Sequence, residues 1–130
     1  MKRIIGSIAL VVKDYDEAIQ FYTEQLNFKL IQDITLDDQK RWVTICPENN
    51  AETSILLAKA TTLEQKKSIG NQTGGRVFLF LHTNDFWKDY HLMKSKGVSF
   101  LEEPREEIYG TVVVFEDLYG NKWDLIEHKN

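Results

Sequence analysis

Residues Ala9 to Phe28 read ALVVKDYDEAIQFYTEQLNF, and this stretch decides the fold. It opens inside an apolar, β-branched run from Ile4 to Val12, the signature of a strand buried on both faces. Asp14 followed three residues later by Glu17 has the capping-box form. Ala18, Phe21, Tyr22 and Leu26 then recur at helical spacing up to Asn27, a residue that tolerates the left-handed conformation at a helix end. The stretch therefore predicts a strand, a polar start and a helix of about three turns.

Working outward, three strands follow the helix, at Phe28 to about Thr35, Lys40 to Cys46, and Thr53 to Lys59. Polar turns around Asp37-Asp38 and Glu48-Asn49-Asn50 separate them. The first half reads βαβββ. Residues 60–75, with Thr61, Thr62, Lys66, Lys67 and the Gly74-Gly75 pair, carry no core pattern and read as a connecting loop. The pattern then restarts, with a strand from Arg76 to His82, a helix from Asp85 to Lys96 stopped by Gly97, and a strand from Val98 to Leu101. Strands at Gly110 to Glu116 and Lys122 to Glu127 close the chain across a turn at Leu118 to Asn121. An offset of about 69 or 70 residues superimposes the halves, so the expectation is an α+β fold of two tandem βαβββ modules. They cover about 4–59 and 76–128, joined by a linker at 60–75, in one domain spanning 1–130. Paired edge to edge, the two sheets would form one curled mixed sheet around a cleft.

Composition narrows the function classes. With 130 residues, 16 basic and 20 acidic side chains and a net charge of −4, the chain suits one compact domain and offers no basic track for nucleic acid. No apolar run approaches the roughly 20 residues that a membrane-crossing helix needs. The single cysteine, Cys46, excludes an intrachain disulfide and fits a reducing compartment, so a cytoplasmic location is expected. No nucleophile triad or phosphate-cradling glycine loop is present.

The stretch from Ala9 to Phe28, with the closing stretch YGTVVVFEDLYGNKWDL from Tyr109 to Leu125, resembles the vicinal oxygen chelate superfamily of glyoxalase I, bleomycin-resistance proteins and extradiol dioxygenases. The likeness covers nearly the whole chain. It implies the fold more firmly than an activity, because both stretches describe helix packing and a tight turn. It also implies a homodimer. In metal-using members a His near the start and a Glu near the end of each module supply the ligands. Mapped here, the His positions fall on Ser7 and Arg76 and the Glu positions on about Ser54 and on Asp124. A divalent ion of this kind wants imidazole or carboxylate donors, and Arg76 brings a permanent cation instead. No metal and no other cofactor is expected.

Strand alternation turns Ser7, Ala9 and Val11, then Arg76, Phe78, Phe80 and His82, then Lys122, Asp124 and Ile126 toward the cleft. Arg76 and Asp124 would either form a buried ion pair or grip a ligand, with Arg76 offering planar donors and Asp124 orienting them. Trp42, Phe78 and Tyr109 would line a pocket for a flat or hydrophobic ligand, and Trp123 would pack inside. His82 ends a strand on the cleft side, while His91 and His128 read as surface imidazoles, the latter in the C-terminal tail. Glu102, Glu103, Glu106 and Glu107 read as a solvated loop face. The ligand-binding candidates are Arg76, Asp124, His82, Phe78, Trp42 and Tyr109. Three functions remain open: a metal-free binder of a small organic molecule, an enzyme of the same fold using Arg76, His82 and Asp124, and a domain whose cleft is filled.

Overall fold

A computed structural model describes residues 2–49 and 52–130, so Asn50 of the expected Glu48 to Asn50 turn lies outside them. The chain forms two compact units, residues 1–69 and 70–130.

The first unit holds β1 (Ser7–Val12), α1 (Tyr15–Gln20), β2 (Lys29–Thr35), β3 (Arg41–Cys46), β4 (Ser54–Lys59) and α2 (Leu63–Ser68). Its strands lie in the order β1-β4-β3-β2, with β1 and β4 parallel and the other pairs antiparallel. Asp14 caps α1, its carboxylate accepting from the Glu17 amide at 3.0 Å. The helix then widens into a π turn over Phe21–Gln25, and Asn27 ends it at φ +59°. The expected strand from Ile4 to Val12, buried on both faces, is corrected: β1 starts at Ser7, Ile4 and Ile5 are exposed, and only one face of the strand is covered by the helical segment. Leu10, Val12, Val43, Ile45 and Leu57 are buried with Ala18 and Tyr22 of the helical segment, while Ser7 and Ala9 on the other face of β1 remain exposed. Each large apolar side chain removed from water in this way stabilises the fold by about 1.5–3 kcal/mol.

The second unit holds β5 (Leu79–His82), α3 (Phe86–Ser95), β6 (Ser99–Phe100), β7 (Arg105–Glu107), β8 (Gly110–Glu116) and β9 (Lys122–His128). The order is β5-β9-β8-β6, with β7 also paired to β8. Here β5 runs parallel to β9, as β1 does to β4. Asp85 caps α3, and the Phe86 amide donates to Glu127 on β9 at 2.7 Å. Phe86, Tyr90, Phe115, Trp123 and Leu125 form the core, with Trp123 stacked on Phe115 at 5.9 Å. The β8–β9 turn buries Asp117 and Asn121 without leaving them bare. Asp117 accepts from the Tyr119 and Asn121 amides and from the Asn121 side chain, all at 2.9 Å.

Four further local expectations are corrected. Residues 60–75 are not all loop, because Thr62 caps the helix α2 by accepting from the Gln65 amide at 3.1 Å. Arg76 to Phe78 lie before β5, although the Phe78 amide still donates to Lys122 O at 2.7 Å. The loop after β6 contains a ninth strand, β7, built from three charged residues. His128 ends β9 and is not a tail residue. Among the described residues no helix is long and apolar enough to cross a membrane.

Candidate functional site

Each unit carries a cavity on its sheet, and they differ in chemistry. In the first unit a cavity of about 460 Å³ is floored by Val11, Leu56 and Ala58, with Trp42 and Tyr15 on its wall and Arg41 at its rim. The floor follows from register: Val11 pairs with Ala58, and Leu56 faces both Ala9 and Thr44. Trp42 is 38% exposed, and its indole N–H donates to Gln32 Oε1 at 3.0 Å, which fixes the ring while leaving a face open. Arg41 is held from three sides. It grips Asp33 through Nε and Nη2 at 3.1 and 2.7 Å, meets Asp16 at 2.9 Å, and lies 5.1 Å from the Tyr15 ring centre. Hydrogen bonds to Asp33 and Asp16 hold its guanidinium pKa above the usual value.

In the second unit a cavity of about 550 Å³ brings together Arg76, Phe80 and Asp124, with Glu102, Val114 and Lys122 around them. Phe80 and Asp124 are direct partners across β5 and β9, and Phe80 is 58% exposed. Asp124 is partly buried, and its Oδ1 is sealed from solvent with no hydrogen-bond partner. Burial pushes its carboxyl pKa up, against the opposing pull of Arg105 and with a further push from Glu102.

Of the two roles the sequence left open for Arg76 and Asp124, the ion pair is not formed among the described residues. The cation acting on Asp124 is Arg105, which bonds Glu102 at 3.0 Å and Glu107 at 2.7 Å. Glu102 also accepts from the Val114 amide at 3.1 Å, and Glu106 from the Thr111 hydroxyl at 3.0 Å. So three of the four glutamates read as a solvated face hold the β7–β8 ribbon, and only Glu103 is free of such contacts. Sequence reasoning missed Arg105. Its signal was a lone Arg with carboxylates three positions before and two after it.

The remaining candidates scatter. Phe78 is half-buried and Trp42 belongs to the first unit's cavity. Tyr109 lies at the β7–β8 turn, 46% exposed, with its ring 6.5 Å from that of His128. His82 lies beside His128, with ring centres 4.7 Å apart and planes inclined by 47°.

The metal implied by the family resemblance does not fit these residues. The caps Asp14 and Asp85 are counterparts, and counting from them matches Ser7 with Phe78, not Arg76. Strand pairing likewise matches Asp124, the partner of Phe80, with Leu56, the partner of Ala9, and not with Ser54. A hydroxyl, a phenyl ring, an isobutyl group and one carboxylate are a poor donor set for a divalent ion. Among the described residues no group of three or more His, Cys, Asp and Glu side chains lies close enough to hold one.

The chain is 56% identical over 128 residues to an uncharacterized protein of Shewanella frigidimarina (strain NCIMB 400), covering 98% of this chain and 95% of that one. The crystal structure of UcmS2 is similar at a TM-score of 0.84 and 28% identity, covering 97% and 98% of the two chains. That of TnmS3, described as an antibiotic binding protein from Streptomyces sp. CB03234, shares the fold at a TM-score of 0.78 and 24% identity, covering 98% of each chain. The model of the Glyoxalase/Bleomycin resistance protein/Dioxygenase superfamily matches residues 4–125, which takes in every strand but the last residues of β9. The chain belongs to that superfamily.

Proposed function

We propose that the protein binds a small organic molecule with a flat or apolar body, without a resident metal at the positions that the family resemblance implies. The observation that carries this reading is the first unit's cavity, an apolar floor beside an indole whose orientation is locked by Gln32. Aromatic walls of this kind supply contact area at little entropic cost. The second unit's cavity, taken by itself, holds Arg76, exposed and without an ion-pair partner among the described residues, as a planar donor for a carboxylate, phenolate or carbonyl oxygen. Sequestration needs no catalytic group, and the fold shared with an antibiotic binding protein is in keeping with it. A homodimer belongs to the same reading, supported by Leu30, Ile31 and Ile34 exposed along β2 at the sheet edge. So does a cytoplasmic location, supported by one buried free thiol, Cys46.

The test is titration of the purified protein with a panel of aromatic antibiotics, aromatic acids and hydrophobic thiol conjugates, followed by tryptophan fluorescence and calorimetry. Saturable binding that Trp42→Ala weakens about tenfold or more supports the reading. Absence of binding across the panel, or a Trp42→Ala protein that is folded and binds equally, overturns it. For Arg76, the expected order of affinity is wild type, then Arg76→Lys, then Arg76→Ala.

A catalytic reading rests on Asp124, a carboxyl whose burial favours its protonated form inside a cavity. His82 is not among the residues lining that cavity, so acid–base work there would fall to Asp124 with Glu102 and Lys122 beside it. Turnover of a bound panel compound, abolished by Asp124→Asn while binding persists, would favour this reading over sequestration.

A further inference from the structure

The geometry points to a second kind of site in the C-terminal unit: His82 and His128 together form a two-imidazole site for a divalent transition metal such as Cu²⁺, Ni²⁺ or Zn²⁺. The two residues end neighbouring parallel strands. His82 is the partner of Ile126, and His128 lies two residues further along β9, so both side chains project from one sheet face as diagonal neighbours. Both are exposed, and their ring centres lie 4.7 Å apart with planes inclined by 47°. A metal held by bonds of about 2.0–2.1 Å sits about 3.2 Å from each imidazole centre, so two rings sharing it have centres about 4.5 Å apart at a right angle and about 5.2 Å apart at the tetrahedral angle. The observed 4.7 Å falls within that range, so a change of side-chain rotamer without movement of the strands can bring a nitrogen of each ring to one ion.

Ligand chemistry sets the metal class, since imidazole suits Cu, Ni and Zn and does not suit Mg or Ca. Among the described residues no third imidazole, thiolate or carboxylate completes the set, so the remaining coordination positions stay open to water or to oxygen atoms of a small molecule. Two ligands hold an ion more weakly than three, so the metal is one that added salt loads and extensive dialysis removes. The site uses neither the family-implied positions nor Trp42 and Arg76, so it stands or falls independently of the small-molecule reading.

The experiment uses the full chain without a histidine tag, titrated calorimetrically with CuCl₂, NiCl₂ and ZnCl₂ in separate runs, with magnesium as a control. The chain has three histidines, which makes the third a built-in comparison. Expected are one ion per chain at micromolar metal, at least about tenfold weaker binding in His82→Ala and in His128→Ala, and unchanged binding in His91→Ala. The copper-loaded protein should show nitrogen hyperfine structure from two imidazoles in its electron paramagnetic resonance spectrum. Circular dichroism establishes that each variant is folded, and His82→Asn and His128→Asn serve if an alanine variant is not. No binding below millimolar metal, or binding that survives loss of both His82 and His128, overturns the proposal. Loss of binding with His91→Ala alone overturns it as well.

Discussion

Ser7 and Ser54 face each other as partners across the parallel strands β1 and β4, their hydroxyl oxygens 2.9 Å apart. A hydroxyl pair of this kind closes the strand ends with one exposed hydrogen bond, worth about 1 kcal/mol or less. Ser7→Ala and Ser54→Ala should each lower stability in urea by no more than that. Prolonged chelation followed by metal-free dialysis should leave the melting temperature and ligand affinity unchanged. A fall of several degrees on chelation would show that a metal supports the fold at positions assigned here to hydroxyl, phenyl and isobutyl groups.

Arg41 ties β3 to Asp33 on β2 and to Asp16 on α1 while lying over Tyr15. Lysine cannot copy the paired contact with Asp33. Arg41→Lys should therefore cost about 1 kcal/mol in chemical denaturation and weaken whatever binds beside Trp42, because the rim of that cavity loosens. Equal stability and equal affinity of Arg41→Lys would show the network to be ornamental.

Gly70 occupies φ +74°, and a Cβ placed on it would come within 2.0 Å of the Tyr119 carbonyl oxygen. The obstacle is backbone, which cannot swing aside as a side chain can. Gly70→Ala should destabilise the protein by about 2 kcal/mol or more, combining the left-handed penalty with the clash. Gly74→Ala is the control, since nothing lies within 4 Å of its Cβ position and only the φ penalty remains.

Asp124 gives stability a direction with pH. Its carboxyl holds a proton more tightly in the folded chain than in the unfolded one, because burial raises the folded pKa. Stability from this group is then highest below the unfolded value of about 3.9 and declines as pH rises from there through the raised folded value. Asp124→Asn removes that slope. The variant should gain on wild type between pH 4 and neutrality in urea denaturation, and a wild-type advantage that grows over that range would contradict the assignment.

The strands were legible because their signals are local. The alternation from Ile8 to Val12 and in Gly110 to Glu116, and turn residues such as Gly120 at φ +96°, need no knowledge of the partner strand. The helix α2 hid because its six residues, five of them exposed, carry no apolar face, although Thr62 and Gln65 stand at capping-box spacing. β7 hid because Arg105, Glu106 and Glu107 have no strand pattern until Glu102, Thr111 and the β8 backbone hold them. At the site, the sequence brought Arg76 and Asp124 into one cavity but mistook the charge that Asp124 feels. Linear spacing put Arg76 on a strand, whereas Arg105 reaches Asp124 from the far side of β8, a relation that exists only once register is set.

The π turn in the first helical segment has a counterpart in arithmetic. From the cap Asp14 to the left-handed Asn27 the first unit spends one residue more than the second does from Asp85 to Gly97. The wide turn over Phe21–Gln25 takes up that residue, so the strands on either side keep matching pairings in both units. It is a length tolerance in the chain, the point at which a one-residue insertion is absorbed without disturbing the sheet. Deleting Thr23, which lies in the turn and bonds back to Ile19, should convert the segment to regular α-helix and leave a folded protein. The same deletion in α3, which has no spare residue, should not.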